Sequence, residues 1–472
     1  MSNLIERTLH RLSEQLEGRL STSGDQRYAG AIQIWPKPTT GLPRAIAHCR
    51  SSEDVQLAVR AARDSHLTLS VRGGGHDWAG RALCDGLVID LSGMRGVLIG
   101  PDNVAATSGG ARAMDVAAEG DPRGLAPVSG SVGAVGMAGL TLGGGYGPLI
   151  GRFGLALDNM IAAEVVLADG RIVLAKHDSE EELFWALRGG GGNFGVVTTM
   201  WHRLHAVPSV RSGMLAYPFS EASAVLRRCA DIAASAPDAL TVQVGLVAGA
   251  DGAPVVLVVP TWCGGPGEGE GRIAPFLKLG TLLAGAGETM SYGTLLRAFD
   301  PYLANGLQVF MDSCWLPALD GESIDLAVEA MGNAAGPGCA IFTHEFRGAA
   351  SRIPEQATAF GLRLDHILIE ILAAYPDRAD KDEERRYRQW TRGTRATFAA
   401  MAFSGAYPHF LAPDDLERAG QSYGRNGARL IGAKRHYDPD NVFRSATPLP
   451  ADHHNDSWLC SSEPIAPAIG GR

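Results

Sequence analysis

The chain has 472 residues, 45% hydrophobic and 20% charged, with a net charge of −9. These values exclude a disordered, collagenous or coiled-coil protein and predict a soluble globular enzyme of two or three domains at roughly 150 residues each. An acidic balance without a basic stripe argues against nucleic acid or an anionic membrane as partner, and no apolar run approaches the roughly 20 residues of a membrane span.

Leu9, Leu12, Leu16 and Leu20 recur at helical spacing and predict an amphipathic N-terminal helix. Ser51-Ser52-Glu53-Asp54 opens a second helix through a capping-box-like start, with Val55, Ala58, Val59 and Ala62 on one face. Leu67, Leu69 and Val71 alternate as a strand that runs into Arg72-Gly73-Gly74-Gly75-His76. Short strands are expected at 86–91 and 97–99, and a hairpin over 161–175 turning at Asp169-Gly170. From 211 to 412, strand-like runs at 241–248, 254–259, 307–315, 340–347 and 365–375 alternate with polar helical stretches, predicting an antiparallel sheet covered by helices. A helix over 416–430 leads to His436-Tyr437-Asp438-Pro439, and residues 451–472 read as an irregular tail. The expected boundaries are 1–208, 209–412, 413–450 and 451–472.

Seven scattered cysteines without a CxxC pair fit reduced thiols, and the N-terminus carries no basic segment followed by an apolar run, so a cytoplasmic location is expected. The unusual figure is glycine: 60 residues, about 13% of the chain against about 7% on average. The glycines gather in four loops, at 72–76, 109–111, 130–147 and 189–195. Successive backbone N–H groups in such loops converge into a nest that holds phosphate or a planar ring, which points to a large anionic cofactor. Gly190-Gly191-Gly192-Asn193-Phe194-Gly195 satisfies GxGxxG, but it follows a helical stretch and opens a β-branched run, the reverse of a Rossmann loop. No P-loop pattern is present. His76, directly after a strand, is either a turn residue or a nucleophilic imidazole set against a cofactor. His202/His205 and His453/His454 lack a third convergent ligand, so no metal site is expected.

Ser70-Val-Arg-Gly-Gly-Gly-His76 resembles the flavin-attachment loop of berberine-bridge-enzyme-like FAD-linked oxidases, in the vanillyl-alcohol-oxidase superfamily. Residues 138–147 (AGLTLGGGYG), 154–159 (GLALDN), 183–197 (LFWALRGGGGNFGVV) and 426–443 (NGARLIGAKRHYDPDNVF) resemble the same family in the same order. The resemblance implies an α+β protein: a PCMH-type FAD-binding domain of two α/β subdomains, completed by the C-terminal segment, with an inserted substrate domain of antiparallel sheet covered by helices. It implies cofactor contacts from Arg72, Gly73, Gly74, Gly75, His76 and Asp77 in the first loop. The long loop would add Gly130, Ser131, Val132, Val135, Gly136, Gly139, Gly144, Gly145 and Tyr146. Asn193, Gly195, Val196, Val197, Asn426 and Asn441 would complete the shell. By resemblance His76 bonds the flavin 8α carbon. Many relatives add a cysteinyl link at the position of Val132, so a single covalent bond is expected here, as in the 6-hydroxy-D-nicotine oxidase-like type. Val135 matches a position that gates oxygen, where valine accompanies oxidase behaviour.

A flavin oxidase needs a base for the substrate proton. Alternation in 365–375 puts Ile367, Ile369 and Ile371 on one face and His366, Leu368, Glu370 and Leu372 on the other. The isoleucine face is expected under the helices, which leaves His366 and Glu370 facing the cofactor. Glu370, Tyr407 and Tyr423 are the candidate catalytic groups, and His344, His366 and His409 the candidate substrate contacts. Tyr407 lies in Ala-Tyr-Pro-His409, where the family commonly has Tyr-Val-Asn; a phenol beside oxidised flavin could have a lowered pKa. The expected activity is a cytoplasmic oxidase, monomer or homodimer, that oxidises a small-molecule alcohol, amine or activated carbon with O2 and releases peroxide, in bacterial secondary metabolism. The alternatives are a dehydrogenase, oxidative cyclase or oxygenase of the same family, or a non-catalytic flavin or metabolite binder.

Overall fold

The structure, a computed structural model, describes residues 2–37, 41–249, 251–300, 305–375 and 380–450. The 451–472 tail and His453/His454 lie outside the described residues. Near the N-terminus, Leu20–Ser21, Ala45–His48, Leu87–Asp90 and Leu69–Arg72 form a four-stranded sheet in that order, the last three parallel. Parallel strands need covering helices, and Ser2–Gln15 and Ser52–Ser65 bury Leu9, Leu12, Val55 and Val59 against this sheet. Ser51 caps the second helix by accepting from the Asp54 N–H. The first helix stops before Leu20 because the chain turns at Gly18, which has φ +75°.

A second, antiparallel sheet runs Val97–Ile99, Val104–Ser108, Val196–Ala206, Met160–Val166, Ile172–Lys176, with Leu125–Pro127 joined to the far end of the long central strand. The expected hairpin turn is present, with Gly170 at φ +82°. The third sheet has eight strands, all antiparallel. Leu240–Ala248, Cys339–Phe346, His366–Tyr375 and Gln308–Leu316 lie side by side in it. Its Ile341, Ile369 and Ile371 pack with Val225, Leu226 and Ile324 of the helices Ala222–Ala234 and Gly321–Gly332. The opposite face is left to look back at the glycine loops.

The helix expected over 416–430 is two helices, Leu416–Ser422 and Gly427–Tyr437, parted by a tight turn at Gly424, φ +48°. Among the described residues no helix is long and apolar enough to cross a membrane. A bidentate ion pair joins Arg363 to Asp158 at 2.8 and 2.9 Å, with both side chains at most 5% exposed. It ties the loop before strand His366–Tyr375 to the turn before strand Met160–Val166. Asp158→Asn leaves a buried guanidinium without its counter-charge, so denaturant titration should show a loss of about 3–5 kcal/mol.

Candidate functional site

The three sheets meet around one cleft, with about 460 Å³ of interior space, walled on one side by the glycine loops and on the other by the eight-stranded sheet. The glycine wall is built from backbone in contact with backbone. A Cβ on Gly74 would stand 2.3 Å from the Gly136 nitrogen, and one on Gly109 would stand 2.3 Å from the Val197 carbonyl oxygen. No side chain fits at either place without moving the main chain. Gly74→Ala should therefore push the first and long loops apart and yield a protein that no longer retains flavin, read from its visible absorption after gel filtration.

His76 lines this wall, its ring stacked on Trp35 with centroids 4.4 Å apart and planes 18° apart. Its Nε2 has no hydrogen-bond partner. Burial pulls the imidazole pKa down to about 4, so the ring is neutral at physiological pH and keeps a free lone pair. Asp77 holds the turn behind it, accepting from the Ala79 and Arg81 N–H groups and pairing with the Arg81 guanidinium at 2.7 Å.

The facing wall is largely apolar, with Met311, Phe342, Leu368 and Leu372 around one polar pair. Glu370 Oε2 and His344 Nε2 lie 2.9 Å apart on neighbouring strands, each side chain 15% exposed. At the seam between the walls the Tyr407 hydroxyl accepts from the Gly145 N–H at 3.1 Å and lies 3.4 Å from His409 Nδ1. In the protein alone, burial raises the Tyr407 phenol well above its ordinary value and brings His409 down to about 4. Burial thus favours the protonated phenol at Tyr407.

Several candidate residues do not reach the cleft. The Tyr423 hydroxyl is fully buried and donates to the Pro448 carbonyl. His366 donates from Nδ1 to the Leu364 carbonyl, so its Nε2 accepts from the Tyr146 hydroxyl, both at 2.7 Å. The ring stacks on Phe346, and it holds Tyr146, whose ring does line the cleft, instead of touching substrate. Arg72 lies beneath the first loop, paired with Asp90 at 2.8 Å. Asn193 bridges the Gly190 and Thr447 carbonyls, Asn426 bridges those of Glu355 and Thr358, and Asn441 is an exposed turn residue at φ +50°. Gly144 and Gly145 sit behind Tyr407, as its packing surface and its amide donor.

Gly73, Gly74, Gly75, Asp77, Gly130, Ser131, Val132, Val135, Gly136, Gly139, Gly195, Val196 and Val197 do line the cleft, as do His344, Glu370, Tyr407 and His409. The sequence reading missed Trp35, Trp78, Gln243, Phe299 and the C-terminal run 445–447. Gln243 had a usable signal, a lone amide in an apolar strand; the others had none.

Two further clusters have the residue types of a site without its geometry. Ser21 Oγ, His48 and Asp90 form a chain at 2.7 and 3.0 Å, but Ser21 is 1% exposed and Asp90 also accepts from Arg72 and Ser92. No nucleophile is presented to a substrate there. His202 bonds Thr107 and His205 bonds Asn159, each at 2.7 Å, so the two rings serve separate neighbours.

The cleft fits FAD on two observations: a wall of glycines that only main chain can occupy, and a buried neutral imidazole with an unused nitrogen. Comparison with known proteins agrees. The family profile described as FAD binding domain matches residues 43–176, and the one described as berberine and berberine like matches residues 397–450. (R)-6-hydroxynicotine oxidase of Paenarthrobacter nicotinovorans is 30% identical over 91% of this chain and 96% of its own. The crystal structure of 6-hydroxy-D-nicotine oxidase from Arthrobacter nicotinovorans superposes with a TM-score of 0.81, at 28% identity, over 91% of this chain and 97% of that one. The fold is shared as well by glucooligosaccharide oxidase from Acremonium strictum, described with a 6-S-cysteinyl, 8α-N1-histidyl FAD, at a TM-score of 0.78 and 23% identity over 94% of this chain and 98% of that one. An enzyme whose cleft has glycine main chain on one wall and a carboxylate–imidazole pair on the other, this chain belongs to the berberine-bridge-enzyme-like FAD-linked oxidoreductases.

Proposed function

We propose that the protein is an oxidase carrying FAD on a single covalent bond from His76 to the flavin 8α carbon, acting on a small-molecule alcohol, amine or activated carbon. When bound, the flavin supplies a two-electron hydride acceptor that passes its electrons to O2 to give peroxide. The observation that carries the reading is the Glu370–His344 pair, which stands beside Gln243 in a largely apolar wall facing the glycine loops. Glu370 takes the proton that leaves with the hydride, and His344 fixes the carboxylate's direction. Tyr407, protonated and tethered to Gly145, donates a hydrogen bond to the substrate's reacting atom. Met311, Phe342, Leu368 and Leu372 exclude water from that atom. Val132 stands where doubly linked relatives have cysteine, which supports one bond rather than two, and Val135, which lines the cleft beside Gly136, matches the family position where valine accompanies oxidase behaviour.

Purified protein should be yellow. Under nitrogen, a panel of aromatic amines, alcohols and reducing sugars should contain a compound that bleaches it. Air should then restore the colour within seconds, with one peroxide per turnover. Reoxidation over many minutes without peroxide would make the protein a dehydrogenase instead.

A further inference from the structure

The register of the eight-stranded sheet puts Gly245, Phe342 and Glu370 in one row across three neighbouring strands, Gly245 opposite Phe342 and Phe342 opposite Glu370. Directly opposed residues share a face, and Phe342 and Glu370 both line the cleft. Glycine inside a strand weakens it, and it marks a place where another group comes close. Here that group is the Phe342 ring. A Cβ on Gly245 would stand 2.8 Å from Phe342 Cε1 and 3.0 Å from Cδ1. Phe342 therefore lies across the neighbouring strand, its ring carbons at the height of a Cβ, instead of standing up into the cleft. The side chain is half-buried, so part of the ring rests on the sheet and part is left for a ligand.

What surrounds the ring limits what can rest on it. Among the described residues the sheet gives the cleft three polar side chains, Gln243, His344 and Glu370. His344 Nε2 and Glu370 Oε2 are spent on each other, and Gln243 Oε1 accepts from Ser131 Oγ at 3.1 Å. Met311, Leu368 and Leu372 supply the rest of this wall. A sugar laid against it would give up water from several hydroxyls and find few partners for them, and each unpaired hydroxyl costs affinity. A flat aromatic ring has no such hydroxyls to desolvate and gains a ring to pack on.

We propose that Phe342, laid down on Gly245, is the stacking platform for a planar aromatic substrate, held between this ring and the glycine-loop wall with its reacting group beside Glu370. The inference rests on the reading of Glu370 as the base, and it narrows the substrate class to aromatic alcohols and amines, with reducing sugars rejected. Gly245 is a positioning residue that acts through Phe342.

Three probes test this on the flavin-loaded protein under nitrogen: β-naphthol, decahydro-β-naphthol, which has the same skeleton and hydroxyl without the flat face, and cellobiose. Binding is read by calorimetry and by the shift of the flavin's visible absorption. The naphthol should bind on the order of tenfold tighter than either of the others. Phe342→Leu keeps the wall apolar but removes the ring, so it should weaken the naphthol roughly three- to tenfold and leave the decahydro compound where it was. Phe342→Tyr keeps the ring and should bind the naphthol as the parent does. Gly245→Ala should displace the ring and weaken the naphthol to a similar degree. Added to Phe342→Leu it should cost nothing more, because its methyl group acts only by moving the ring. If Gly245→Ala does not fold, the two Phe342 variants decide. Equal affinity of the parent and Phe342→Leu for the naphthol, or cellobiose bound as tightly as the naphthol by the parent, overturns the platform. Loss of the aromatic preference with slow flavin reduction in Glu370→Gln removes only the platform. Parental reduction in Glu370→Gln with the preference intact removes the base and leaves the platform standing.

Discussion

His76→Ala should give a protein that binds FAD reversibly and releases all of it to the supernatant on acid precipitation, where the parent's yellow colour stays in the pellet. The expectation follows from what surrounds the ring. Burial keeps the imidazole neutral, Trp35 stacks on its ring and Nε2 is unpartnered, and a neutral nitrogen lone pair is the nucleophilic form. No other described side chain on the glycine wall offers such an atom, since Val132 and Val135 are aliphatic and Ser131 donates to Gln243. The glycine contacts at Gly74–Gly136 and Gly109–Val197 do not involve the imidazole, so the cradle itself should survive. Loss of the bond should also lower the flavin potential. Each fall of about 30 mV in a two-electron couple is worth about 1.4 kcal/mol, a factor of about ten in the equilibrium of hydride transfer. Redox titration of the variant beside the parent measures that fall. Flavin that stays in the acid pellet of His76→Ala would move the attachment to another residue.

Much of this site could be read from the chain because glycine is informative where backbone packs on backbone. The loops at 72–76 and 130–147 stood out for the same reason that Gly74 now meets Gly136: no other residue fits. Period-2 alternation in 365–375 separated the buried isoleucines from Glu370 correctly, because that strand has one face under helices and one face on the cleft. It failed for His366, which sits on the right face but beyond the end of the cleft, where Tyr146 and Phe346 enclose it. Alternation gives the side of a sheet and says nothing of how far a cavity extends along it. Asn193 and Asn426 illustrate another limit. Both are buried amides spanning main-chain carbonyls from distant parts of the chain, partners that no local pattern announces. For Tyr407 the sequence could not show how deeply the hydroxyl is buried, and that burial raises the phenol and works against any lowering by a flavin beside it.

Glu370→Gln should slow flavin reduction by about 10²–10⁴, or about 3–5 kcal/mol of barrier, while leaving the fold and the acid-stable yellow colour as they are. Glutamine has the same shape and can still meet His344 Nε2, so the substitution removes the charge and the proton-accepting power with little change in packing. Leu368 and Leu372 on either side keep other acceptors from reaching the substrate, which is why no neighbour should take over. His344→Leu should cost less than Glu370→Gln, because His344 acts on the reacting proton only through Glu370. The pair therefore gives a sharp non-additivity. If His344 directs Glu370, the doubly substituted protein should be no slower than Glu370→Gln alone, and the two single losses should not sum. Stopped-flow reduction of the four proteins under nitrogen measures the cycle. Losses that add in full would make the imidazole an independent contact to substrate, and a parental rate in Glu370→Gln would place the base elsewhere in the cleft.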